Sequence, residues 1–134
     1  MREKLISLAT NSYSPYSNFR VATILVMKDG KEIPGVNVEN AAYGSSICSE
    51  RSAIVSAISL GYKKGDFMEL HCMCVDSNKI STSCFGCRQV IVEFFDKNAD
   101  LYFYSKDGQV KKYKVSELCP HPFDEEDLKW NQVL

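Results

Sequence analysis

Two short segments, Cys48-Ser49-Glu50 and Cys84-Phe85-Gly86-Cys87, bring three thiols and one carboxylate into view. Thiolates are zinc ligands, and three protein ligands leave the fourth tetrahedral position for water, whereas a fourth would close the site and make it structural. The count of Cys48, Cys84 and Cys87 therefore points to an activated water, with Glu50 as the group that carries its protons. Three thiolates outweigh the charge of Zn²⁺ and weaken its pull on that water. Arg51, next to the carboxylate, is the candidate cation that compensates by hydrogen-bonding to sulfur. Its plainer reading is a surface arginine in the first turn of a helix.

Other readings of the thiols stand beside this one. Cys84 and Cys87 have the spacing of a dithiol redox pair at a helix start, which leaves Cys48 and Glu50 without a task. A closed structural zinc would recruit Cys72, Cys74 or Cys119. Cys72 and Cys74 alternate with Met73 in an apolar stretch and read as small core residues, and Cys119 before Pro120 reads as packing. His71 and His121 have no ligand-spaced partner and read as core or surface histidines.

These residues must be positioned by helices and strands, and the apolar periodicity says which. From Glu50, Ala53, Ile54, Ala57 and Ile58 recur at helical spacing until Gly61, so Glu50 lies on the inward face. Cys87, Val90, Ile91 and Phe94 repeat the pattern after the turn Ser81-Thr82-Ser83, with Cys87 inward at the helix start. Free N–H groups at the two helix starts are expected to converge on the sulfurs. An opening helix carries Leu5, Ile6, Leu8 and Ala9 and ends near Ser12. Strands are expected over Val21 to Met27, Ile33 to Val38 with Pro34 marking an edge or bulge, Leu70 to Val75, Leu101 to Tyr104 and Val110 to Val115. Short helical pieces follow near Ser116 and after Asp124, where the acidic run to Asp127 suits a helix start. Strands interleaved with helices indicate an α/β layered fold around one sheet.

With 134 residues the chain is the size of one domain, 1–134, burying roughly 65–70% of its unfolded surface. At 45% hydrophobic and 25% charged residues it reads as a globular domain, and no apolar run approaches the ~18 residues of a membrane span. The mixed charge of Met1 to Ile6 is unlike a signal peptide, so the cytoplasm is the expected compartment, and six cysteines there are metal ligands or buried thiols. A formal net charge of −1, with small clusters at Lys63-Lys64 and Lys111 to Lys114, offers no electrostatic track for nucleic acid.

The motif order resembles the zinc cytidine deaminases, whose signature is Cys- or His-x-Glu followed by Pro-Cys-x-x-Cys. Tyr16-Ser17-Asn18-Phe19, Gly35 to Tyr43, Cys48 to Arg51 and Cys87-Arg88-Gln89-Val90 are similar to the small nucleoside-specific members, so the resemblance spans nearly the whole chain. It implies hydrolytic deamination of cytidine and deoxycytidine in pyrimidine salvage, with zinc as cofactor held by Cys48, Cys84 and Cys87, and Glu50 as proton carrier. By the same resemblance Phe19 flanks the base, Asn37 and Glu39 hold ribose hydroxyls, and Tyr43 and Phe123 serve pockets shared across a homotetramer. The implied fold is a three-layer sandwich, a mixed five-stranded sheet flanked by helices. Asn37 and Glu39 could by themselves equally be turn residues at a strand end. A polynucleotide or antibiotic deaminase and an inactive zinc-stabilised relative are the competing readings. Three positions depart from the family: Ser83 replaces a proline and is expected to cap the helix, Phe85 replaces a glycine and places a ring beside the metal loop, and Val21-Ala22-Thr23-Ile24 lacks a common glycine.

Overall fold

The computed structural model describes residues 1–132. Five strands, β1 (Val21–Met27), β2 (Glu32–Val36), β3 (Phe67–Cys74), β4 (Phe95–Tyr104) and β5 (Val110–Lys114), form one sheet in the order β2-β1-β3-β4-β5. β3 and β4 pair in parallel and the other neighbours antiparallel, so the sheet is mixed. A parallel pair needs a crossover, and helix α3 (Phe85–Phe94) supplies it.

Strand alternation sorts the side chains into two cores. Ala22, Ile24 and Met73 face helix α1 (Arg2–Ala9), which buries Leu5 and Ala9 against them. Leu25, Met27, Leu70, Cys72, Leu101 and Phe103 belong to the larger core on the other face, with Ala53, Ile54 and Ala57 of α2 (Ser49–Ser59), Ile91 of α3, and Val115 and Leu118 of α4 (Val115–Leu118). Helix, sheet and helices make the expected three layers. Each fully buried Leu or Phe in them contributes about 1.5–3 kcal/mol.

One glycine sets the position of the active helix start. A Cβ on Gly35 would lie 2.4 Å from the Ala53 nitrogen and 2.6 Å from the Ser49 carbonyl oxygen. Only a residue without a side chain lets α2 lie this close to the edge strand β2.

The expected elements are present, with shifted limits. β2 stops at Val36, because Val38 makes only isolated bridges with Tyr13 and Ile47. Pro34 does sit on an edge strand. β4 begins at Phe95 rather than Leu101, directly after α3, but its register with β3 jumps from Phe67↔Phe95 to Glu69↔Asp100, so Asp96 to Ala99 form a bulged excursion. The piece after Asp124 is a 3-10 helix, Glu125–Gln132, and a further 3-10 turn, Tyr43–Ser45, was not apparent in the sequence pattern.

Candidate active site

Cys48 and Cys84 are the residues immediately preceding α2 and α3, and Cys87 lies in the first turn of α3. The helix starts thus bring the three sulfurs together: Cys48 Sγ is 3.8 Å from Cys84 Sγ, which is 3.4 Å from Cys87 Sγ, and all three lie within 4.8 Å of one another. Zn–S bonds of about 2.3 Å in tetrahedral array put sulfurs roughly 3.8 Å apart, so the donor set fits a single zinc. Among the described residues this is the one group of three or more metal-ligating side chains so arranged. Cys72, Cys74 and Cys119 are outside it.

Charge is distributed unevenly over the cluster. The Cys87 hydrogen bond, and then Arg51 and Cys84, pull the Cys48 thiol down to about 6 against burial and the Glu50 charge. Cys87 is pushed up by the same pairing with Cys48 and by burial. Arg51 Nη2 lies 3.8 Å from Cys48 Sγ. The expected convergence of helix N–H groups holds for Cys84, whose sulfur accepts from the Cys87 N–H at 3.4 Å. It does not hold for Cys48, which makes no side-chain cap bond and turns its sulfur to Arg51 and the other thiols instead.

Glu50 is only 5% exposed and lines the same cavity, of about 410 Å³, as Cys48 and Cys84. Its Oε1 accepts a hydrogen bond of 3.0 Å from Ser49 Oγ, which lies 2.8 Å from Thr23 Oγ1, and both hydroxyls are fully buried. Ser49 and Thr23 fix the carboxylate's orientation, a support the sequence reading missed. The available signal was Thr23 itself, a hydroxyl within the otherwise apolar strand β1.

Phe19, Asn37, Glu39 and Tyr43 form a second wall of the cavity. Asn37 Oδ1 accepts from the Val21 N–H at 3.0 Å and from Ser12 Oγ, while Nδ2 donates to the Phe19 carbonyl at 2.7 Å. Glu39 Oε1 accepts from the N–H groups of Tyr16 and Ser17 at 3.0 and 3.1 Å, and Oε2 from Ser17 Oγ. The Ser17 hydroxyl above all, helped by these two N–H groups, holds the Glu39 carboxyl below the usual range against its desolvation. Tyr43 packs edge-on against Tyr16, ring centroids 6.0 Å apart. Phe123 is not part of this wall. It is 60% exposed and borders a separate surface cleft with Phe85 and Arg88.

The metal loop corrects one expectation, the Ser83 cap, and shows which way the Phe85 ring turns. Phe85 is 77% exposed and absent from the lining of the cavity, because the Arg88 guanidinium lies 4.3 Å from its ring centroid and holds it outward. Ser83 does not cap α3: Cys84 does, and Ser83 Oγ is buried without a hydrogen-bond partner. Arg88 instead fixes this loop, donating to the Ser83 carbonyl, the Thr82 hydroxyl and the Leu118 carbonyl.

Residues 1–103 match the family model described as the cytidine and deoxycytidylate deaminase zinc-binding region. The chain belongs to this deaminase family. It is 36% identical over 126 residues to a cytidine deaminase of Halalkalibacterium halodurans, covering 94% of this chain and 93% of that one. A cytidine deaminase of Sporosarcina psychrophila is 35% identical over 132 residues, covering 96% and 95%. The crystal structure of cytidine deaminase from Burkholderia pseudomallei superposes with a TM-score of 0.86 at 35% identity, covering 90% of this chain and 94% of that chain. The deaminase family's zinc-binding description agrees with the three-thiol cluster found here. No helix among the described residues is long and apolar enough to cross a membrane.

Proposed function

We propose that the protein hydrolyses cytidine and deoxycytidine to uridine and deoxyuridine with release of ammonia, as a step of pyrimidine salvage. The observation that carries this reading is the buried Glu50 carboxylate lining one cavity with the thiol cluster. Cys48, Cys84 and Cys87 would hold the zinc, which when bound supplies the Lewis acidity that activates water. Glu50 takes one proton from the attacking water and passes it to ring N3 as C4 is attacked, then takes the remaining proton from the hydroxyl added at C4 and delivers it to the amino group, which leaves as ammonia as the C4 carbonyl forms. Ser49 and Thr23 keep the carboxylate turned into the cavity during these transfers. Arg51 offsets the excess negative charge of the sulfurs.

Hydrogen-bond capacity supports a nucleoside with one critical hydroxyl. Asn37 uses both acceptor positions of Oδ1 and one N–H within the protein, which leaves one N–H. Glu39 uses both positions of Oε1 and one of Oε2, which leaves one acceptor. One free donor beside one free acceptor matches a single sugar hydroxyl, taken here as the 3′ hydroxyl, and so both cytidine and deoxycytidine qualify. A 3′ phosphate would meet the Glu39 carboxylate as a like charge, which disfavours polynucleotides. Phe19 flanks the base.

The exposed Phe123, outside its own chain's cavity, supports a role in completing a neighbour's site in a homotetramer, and the exposed Tyr43 at this cavity supports a place at the same interface. Six free thiols suit a reducing compartment, the cytoplasm. Purified zinc-loaded protein incubated with cytidine tests the proposal. Loss of the cytidine ultraviolet band with equimolar ammonia is the expected result, and an unchanged spectrum overturns it.

A further inference from the structure

Phe19 stands on the cavity wall in a segment, residues 14–20, that belongs to no helix or strand of the sheet. Its position therefore depends on side-chain anchors. On one side, its N–H donates to Ser17 Oγ at 3.1 Å, and Asn18 before it has a φ of 56°, a left-handed conformation that asparagine tolerates. On the other side, the peptide unit joining Phe19 to Arg20 is gripped at both polar atoms. Asn37 Nδ2 donates to its carbonyl at 2.7 Å, and its N–H donates to Asp76 Oδ2 at 2.8 Å.

Asp76 also binds the Arg20 side chain in a two-point pair, with Nε to Oδ2 at 3.0 Å and Nη2 to Oδ1 at 2.8 Å. It follows the end of β3 by two residues, and Val75 donates its N–H to the Arg20 carbonyl at 3.1 Å. The carboxylate thus ties the loop that carries Phe19 to the central strand of the sheet. Arg20 holds Asp76 down to about 2, so the clamp is charged throughout the neutral range. Neither Asp76 nor Arg20 lines the cavity, and the mechanism uses neither.

We propose that Asp76, locked by Arg20, is a positioning residue that sets how well Phe19 receives the pyrimidine base. This rests on the reading of the cavity as a pyrimidine-nucleoside site. A held ring meets the base without first being ordered, and a loose one must be ordered on binding, so the clamp acts on affinity rather than on the proton transfers at Glu50. Asp76→Ala frees the peptide N–H and the guanidinium together, Asp76→Asn keeps one acceptor for the N–H, and Arg20→Ala leaves the Asp76 carboxylate to hold the N–H alone.

The test is a double-mutant cycle on cytidine turnover with zinc content measured for every variant. Base stacking on an aromatic ring is worth about 1–3 kcal/mol, so Phe19→Ala is expected to raise KM about 5–150-fold. Asp76→Ala should raise KM about 3–10-fold with kcat within about twofold of wild type, with smaller rises for Asp76→Asn and Arg20→Ala. In the Phe19→Ala background, Asp76→Ala should have no further effect on KM. A KM rise of the same factor in both backgrounds, an unchanged KM in Asp76→Ala, or a fall confined to kcat overturns the proposal. Absence of cytidine turnover by the wild-type protein would instead count against the deaminase reading itself, and the two failures are therefore distinct.

Discussion

The two walls of the cavity are built on different principles. The sulfur and carboxylate wall stands on the starts of α2 and α3, where backbone hydrogen bonding and core packing fix each side chain within a turn of a rigid element. The second wall stands on residues 14–20 and the segment after β2, where Asn37, Glu39 and Asp76 take the place of a sheet ladder. Chemistry that tolerates little displacement sits on helices, and recognition sits on a loop braced by side chains. Substitutions on the first wall should therefore strike zinc content or kcat, and those on the second should strike KM and substrate preference.

The largest effect is expected at the ligands. Cys48→Ala should lose zinc, lower thermal stability and abolish turnover, measured by elemental analysis, melting and the cytidine assay. Full zinc retention would remove Cys48 from the centre. Glu50→Gln preserves shape and removes the proton carrier, so kcat should fall by roughly 10²–10⁴ with zinc and folding unchanged.

On the loop wall, Glu39→Gln weakens a charge-assisted bond worth about 1.5–3 kcal/mol, so kcat/KM for cytidine should fall about 10–150-fold while that for free cytosine stays level. Equal losses on both substrates would show that Glu39 only braces the loop. If that variant cut kcat as deeply as Glu50→Gln, the division between the walls would fail.

The smallest effect separates packing from chemistry inside the metal loop. Ser83 Oγ is a buried hydroxyl without a partner, so Ser83→Ala should raise stability by up to about 1 kcal/mol, seen as a higher melting temperature with kcat unchanged. A lower melting temperature would show that the hydroxyl is satisfied in solution.

The first wall was largely legible in the sequence because its geometry is local: Cys48-x-Glu50 and Cys84-x-x-Cys87 place their groups within single helical turns, and the apolar repeats from Ala53 and Val90 showed which face is inward. The second was legible only as a resemblance. Asn37 and Glu39 have no periodicity to announce them, and the Arg20 to Asp76 pair spans 56 positions with no pattern linking its ends. The start of β4 was hidden for a related reason. Asp96, Lys97 and Asn98 look like a loop, and it is pairing with β3 on either side of the bulge that carries them into a strand. The outward turn of the Phe85 ring had no signature in the sequence, because the side chain it packs against, Arg88, lies a turn further along α3.

The most direct test of the account is the rate of the wild-type zinc protein on cytosine, cytidine, deoxycytidine and a short cytosine-containing strand at equal concentration. The account predicts comparable turnover of the two nucleosides, cytosine slower by on the order of 10²–10⁴-fold, and no measurable reaction of the strand. Equal rates on cytosine and cytidine, or a faster reaction of the strand, would contradict it.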